Sequence, residues 1–193
     1  MNSKFKYIIF YCLLLMAVSC NQDTTSSTRA QSSKQDTVST SNNNKIRHNF
    51  SQYINNRFGF SIDYPKDILE MQSESECGDG NDFMDAKDSV IITVFGRRNE
   101  DSEGNKINLS EQLSDDLKEL KTDGSMITYQ KLGQKFYVIS GLKNSKVFYR
   151  KTITIDNAFA FTIIEYQQKD SAIYNPLIAP ITASFKPVLI TQE

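Results

Sequence analysis

The sequence predicts an α+β domain, a largely antiparallel β-sheet flanked by helices on both faces, and three observations lead there. Stretches of alternating apolar and polar residues recur between connections of hairpin length. One of these stretches, Ser89 to Gly96, is apolar on both faces, as a strand in the middle of a covered sheet must be. Two segments carry apolar residues at helical spacing: Leu109, Leu113, Leu117 and Leu120, and later Tyr174, Leu177, Ile178 and Ile181. Helices placed between and after the strands imply helix layers over a sheet.

What precedes this domain reads differently. Residues 1–19 have the form of a bacterial signal peptide, with Lys4 and Lys6 ahead of the apolar run Tyr7 to Val18. That run is 12 residues long, whereas a spanning helix needs about 20. Its end, Met16-Ala17-Val18-Ser19-Cys20, resembles the lipobox of bacterial lipoproteins, with Ala17 where leucine is usual. The resemblance implies cleavage before Cys20 and attachment of acyl chains such as palmitate there. It also implies an envelope location, on the periplasmic side or the cell surface, with the membrane as a partner through the N-terminal lipid. Removing residues 1–19 takes away Lys4 and Lys6 and no other charge, so the formal charge goes from −1 to −3. Cys12 leaves with the signal and Cys20 is lipidated, so Cys77 has no intrachain disulfide partner.

Between Asn21 and Asn49, 19 of 29 residues are Ser, Thr, Asn or Gln, and only Ala30, Val38 and Ile46 are appreciably apolar. Such a segment cannot bury enough surface to offset its chain entropy. Residues 20–49 are therefore expected to be a lipidated cysteine and a disordered tether, and 50–193 the folded domain. The only histidine, His48, falls at the end of the tether, without partners for metal or acid–base chemistry.

Within the domain, Ser51 to Ile54 predicts a short strand. Phe58, Phe60, Ile62 and Tyr64 alternate with small or polar residues up to Pro65, which cannot continue a ladder. Lys66 to Glu70 is expected to make a helical turn and Ser73 to Asp82 a polar loop. Phe83 to Asp85 and Ser89 to Gly96 predict a hairpin. Asn108 or Ser110 is the expected cap of the leucine helix and Asp123-Gly124 its stop. Strands follow at Met126 to Leu132, Lys135 to Leu142, Lys146 to Asp156 and Phe159 to Gln167. The last helix is expected over Ser171 to Ser184, with Asn175-Pro176 as an alternative start and Pro180 bending it.

Phe58 to Pro65, the acidic Gly78-Asp79-Gly80 loop and hairpin ending at Gly96, the leucine helix, Phe136 to Gly141, and the Tyr-Asn-Pro helix ending in Ser184-Phe185-Lys186 together resemble the PsbP-like α/β/α sandwich of bacterial envelope proteins. The resemblance covers about 50–187. It implies a fold used by photosystem accessory proteins, GTPase-binding factors and secretion chaperones, and hence binding without catalysis. Metal sites in some members use histidines. None follows His48 here, so no metal or other cofactor is expected.

Two stretches are candidate sites. Glu70 to Glu103 holds 10 acids against Lys87, Arg97 and Arg98, a local −7, and Asp79, Asn81 and Asp82 could supply oxygen ligands to a cation. Their spacing does not match an EF-hand loop, and a solvated turn is the favoured reading. Lys131, Lys135, Lys143, Lys146, Arg150 and Lys151 give +6 with no acid between them, a candidate surface for an anionic partner. Strand edges are also commonly lined with lysine against aggregation, which is the favoured reading here. The overall charge excludes nothing by itself but gives no basic excess for nucleic acid. Catalysis has little to stand on: no histidine base, no Gly-x-Ser-x-Gly, no phosphate-binding glycine loop. The expectation is a tethered, non-catalytic protein-binding or accessory module, with another envelope protein as a partner. A carboxylate-based hydrolase and a structural or inhibitory lipoprotein are the competing readings.

Overall fold

The computed structural model describes residues 47–188. The signal peptide, Cys20 and most of the tether lie outside the described residues. The described residues all fall in one compact unit, and it carries both hydrophobic clusters described below.

Ten strands and two helices succeed one another: β1 (Phe50–Asn55), β2 (Phe60–Pro65), β3 (Met71–Glu74), β4 (Gly80–Met84), β5 (Val90–Arg98), α1 (Leu109–Thr122), β6 (Met126–Leu132), β7 (Phe136–Lys143), β8 (Lys146–Ile155), β9 (Ala158–Gln167), α2 (Ser171–Ser184) and β10 (Lys186–Pro187). All pairings are antiparallel. Seven strands form one sheet in the order β3-β4-β5-β9-β8-β7-β6. A second sheet, β1-β2-β10, corrects the expectation that the Phe58 to Tyr64 stretch enters the main sheet.

The core follows from strand alternation. Phe60, Ile62 and Tyr64 on β2 meet Phe83, Ile92, Val94, Ala160 and Ile164 of the large sheet. Phe60 is fully buried and packs edge-on against Phe185, ring centroids 5.7 Å apart, while Tyr64 lies 4.3 Å from Phe83. Tyr174, Leu177 and Ile181 of α2 join this cluster. A smaller cluster forms where Leu109, Leu113, Leu117 and Leu120 of α1 pack on Tyr137, Ile139 and Phe148.

Helix α1 begins at Asn108, as expected. Its side chain accepts from the Ser110 and Glu111 amides while Glu111 returns a bond to the Asn108 amide. Helix α2 begins at Ser171, so Asn175 is not its cap. Both Pro176 and Pro180 sit inside the helix on its exposed side. The carbonyls left without an amide partner thus face water, which lets the helix run through two prolines.

Three other expectations are corrected. Asn56 to Gly59 is a turn, so Phe58 precedes the strand: the Asn55 side chain accepts from the Phe58 amide at 2.9 Å, and Gly59 takes φ 68°, a region only glycine enters freely. Ser73 to Asp82 is mostly a hairpin, β3 against β4, closed by Ser75 to Asp79. Strand β3 escapes detection because it is an edge strand whose exposed residues Gln72, Ser73 and Glu74 show no apolar alternation. Finally, the unit is anchored before Phe50: His48 Nδ1 lies 2.9 Å from Asp67 Oδ2, and the Asn49 amide donates to Asp67 Oδ1 at 3.1 Å.

Truncating Phe60 to Ala opens the centre of the core and is expected to cost about 3–5 kcal/mol. Gly141→Ala should cost about 1–3 kcal/mol, because a Cβ there would sit 2.1 Å from the Met126 carbonyl oxygen. Urea denaturation measures both; a loss under 1 kcal/mol for Phe60→Ala would place the core elsewhere.

Candidate functional site

Beside α2 lies an open groove of about 830 Å³. Its floor follows from alternation and register. Val138, Ser140 and Leu142 on β7 are paired with Lys151, Tyr149 and Val147 on β8, so these six side chains share one face. The wall is α2, where Asn175, Ala179 and Ala183 recur at i, i+4 beside the core face that holds Leu177 and Ile181. Small side chains along that wall leave the space open. At the rim, the last strand of the sheet, β6, exposes Met126 and Tyr129, which are 56% and 49% accessible.

Lys151 is the only Asp, Glu, Lys, Arg or His among the groove-lining residues. Its ammonium donates to the Thr182 carbonyl at 2.5 Å and the Phe185 carbonyl at 3.2 Å, at the C-terminal end of α2, where positive charge opposes the helix dipole. Burial holds its pKa below the ordinary lysine value. Burial also raises the Tyr149 and Tyr166 phenols, and Tyr166 donates to Asn175 Oδ1 at 2.5 Å. The groove therefore offers apolar surface, a few neutral polar groups and one poorly solvated positive charge.

A smaller cavity, about 210 Å³, lies beside α1 and contains Arg97, Asp116, Glu119 and Arg150. Its charges balance and are tied together. Arg97 Nη2 donates to Gln112 Oε1 at 2.5 Å, and Gln112 Nε2 to Asp116 Oδ1 at 2.6 Å. The Tyr137 hydroxyl donates to Asp116 Oδ2 at 2.6 Å. Burial, then the Asp116 charge, pushes the Tyr137 phenol far above its usual range, so it stays a donor. This network fastens α1 to β7.

The residues singled out in the sequence are dispersed. Asp79 closes the β3–β4 turn, bonded to the Ser75 hydroxyl. Asn81 and Asp82 point to opposite faces of β4, the first buried beside Gln72 and the second accepting from the Thr93 hydroxyl at 2.5 Å. All three residues border one small cavity of about 190 Å³, but with Asn81 and Asp82 on opposite faces of the strand their side chains do not make one ligand set. Among the described residues no group of three His, Cys, Asp or Glu side chains could hold a metal ion. The basic residues do not share a surface either. Arg150 faces α1 and lies 3.7 Å from Glu119, its neighbour Lys151 faces α2, and Lys143 pairs with Asp123. Lys131, Lys135 and Lys146 are exposed. Sequence reasoning missed the groove; the readable signal was Lys151 in the inward series Val147, Tyr149, Lys151, Ile153.

No family model matches the chain, and no curated protein matches it. Among solved structures, the solution structure of cyanobacterial PsbP (CyanoP) from Synechocystis sp. PCC 6803 aligns with a TM-score of 0.55 at 11% identity, covering 75% of this chain and 95% of that one. The fold is PsbP-like. At that identity the likeness speaks for the fold of this PsbP-like domain and for nothing further.

At the domain's start, burial favours raising the Asp67 carboxyl, but hydrogen bonds led by His48 outweigh it and hold its pKa below the ordinary value of 3.8. A depressed carboxyl stabilises the fold above its unfolded pKa, and that contribution is lost as pH falls through the folded value. Asp67→Asn should therefore lower the urea midpoint at pH 7 and leave it unchanged near pH 2. Equal losses at both pH values would show that the ionised carboxylate contributes nothing.

Proposed function

We propose that this protein is a lipid-anchored protein of the bacterial envelope, held by acyl chains on Cys20 and a polar tether, whose domain is a non-catalytic binding or accessory module. The groove between α2 and strands β7 and β8 is its binding face, and an apolar component of the envelope is what it holds. The lipobox-like Met16 to Cys20 and the Ser/Thr/Asn/Gln-rich segment after it support the anchor. The layer order is that of an α/β/α sandwich. Alternation supports it, since Phe148 on β8 packs with α1 while Lys151 and Ile153, at positions of the other parity, pack with α2 and the larger cluster.

One observation carries the binding reading: the groove is open, mainly apolar and flanked on β6 by exposed Met126 and Tyr129, the register partners of Leu142 and Ser140. Such concave apolar surface is what ligand and partner sites are made of. A carboxylate hydrolase needs an acid with raised pKa. Among the described residues the displaced carboxyls are lowered: Asp67, Asp101 by hydrogen bonds from Asn105, and Asp123 by its bond from Lys143.

Two measurements test this. Cys20→Ala should move the protein from the membrane to the soluble fraction; retention on membranes with unchanged detergent behaviour would contradict the anchor. A photo-crosslinking side chain at Thr128, on the groove, should capture an envelope component in intact cells, whereas one at Ser114 on α1 should not. Equal capture from both positions would reject the groove as the binding face.

A further inference from the structure

The identity of the groove's occupant can be narrowed by its charge and by what the chain itself cannot supply. Residues 21–49 offer only Ala30, Val38 and Ile46 as apolar side chains, too few to line an apolar groove of about 830 Å³. The tether is therefore a poor occupant. Pockets of this size take small molecules rather than a whole protein face.

The lining contains no acid and one base, Lys151. An ammonium has three donors. Two are engaged by the Thr182 and Phe185 carbonyls, which leaves one among the described residues. The tyrosine hydroxyl of Tyr149 lies on the same floor, one position removed on the same face of β8. Around that single charge the surface is mainly apolar, with Leu142 and Val147 over buried Val138 below and Ile178 and Ala179 beside, and its other polar groups, among them Ser140, Asn175 and Thr182, are neutral. A ligand that satisfies this arrangement has one negative head and a long apolar body. A cationic amphiphile would place like charges together in a poorly solvated site, and a neutral one would leave the third donor unpaired.

We propose that the groove binds a free long-chain fatty acid, with its carboxylate on the Lys151 ammonium and its chain along Val138, Leu142 and Val147. This rests on the binding reading above for the choice of groove and adds the ligand. A fatty acid fits better than a bilayer phospholipid because the lining has a single basic group, with no second cation for a larger head. Burial of methylenes supplies the affinity and Lys151 supplies the sign selectivity.

The test uses residues 45–193, which hold the complete core, and displacement of a fluorescent fatty acid below the critical micelle concentration. Dodecanoate should bind at least ten-fold more tightly than dodecyltrimethylammonium. Lengthening the acid from octanoate should tighten binding about two-fold or more per methylene. Lys151→Met, which keeps the apolar stem, should erase the difference between the acid and the cation. Ala183→Trp, from an exposed position on the groove wall, should weaken dodecanoate at least ten-fold while leaving the fold intact by circular dichroism; it serves as the second variant if Lys151→Met does not fold. Equal affinity for the two amphiphiles would overturn the proposal. So would absence of binding, amide shift changes by NMR away from the groove, or tighter binding to anionic phospholipid vesicles than to the free acid. Failure here with specific capture at Thr128 in cells would leave the binding face standing and remove only the fatty acid; failure of both would remove the groove.

Discussion

The arrangement of this domain turns on a problem of coverage. Seven strands spaced about 4.8 Å apart make a sheet roughly 29 Å wide, and a single helix about 10 Å across covers only about two of them. On the larger cluster's face, β2 covers the side of β4 and β5, and α2 covers the side of β8 and β9. What lies over β7 and β6 on that face is then uncovered. Where that cover ends, half-buried Leu142 on β7 and Val147 and Tyr149 on β8 line the groove over buried Val138, and the small residues of α2 keep it open. The groove is a direct result of how many strands there are and where the cover ends.

That same constraint explains the division of polar groups. Residues adjacent in sequence go to different environments: Arg150 toward the charged network beside α1, Lys151 into the groove. Tyr137, Asp116, Gln112 and Arg97 form a chain of hydrogen bonds that links β7 through α1 to β5. Lys151 caps α2 yet keeps a donor to spare, in a setting with no acid. The hydrogen-bonded chain serves rigidity; the under-used charge beside open apolar surface is the group on which the proposed recognition turns.

Much of the fold was legible in the sequence because its signals were local and strong. The leucine period of α1, its Asn108 cap, strands β6 to β9 and the span of α2 all follow from spacing and turn chemistry. The misses share one cause, dependence on partners distant in the chain. Alternation in Phe60 to Tyr64 announces a strand but cannot say which sheet it joins. Strand β3 has no apolar pattern of its own and exists because β4 pairs with it. Of the candidate sites, the basic run was visible as composition, but strand period sends its members to different faces. The groove was invisible, because a strip of apolar side chains looks like core until one knows that nothing covers it.

The claim on which the rest depends is that this strip is open to solvent and not a closed part of the core. Thermal denaturation of Ala179→Trp tests it most directly, since Ala179 is exposed on the groove wall, where an indole can fold over the apolar floor. An open groove predicts an unchanged or higher Tm, as the ring covers apolar surface that water now touches. A closed, packed site would instead show the loss of about 1–3 kcal/mol that overpacking causes, and that result would contradict the account.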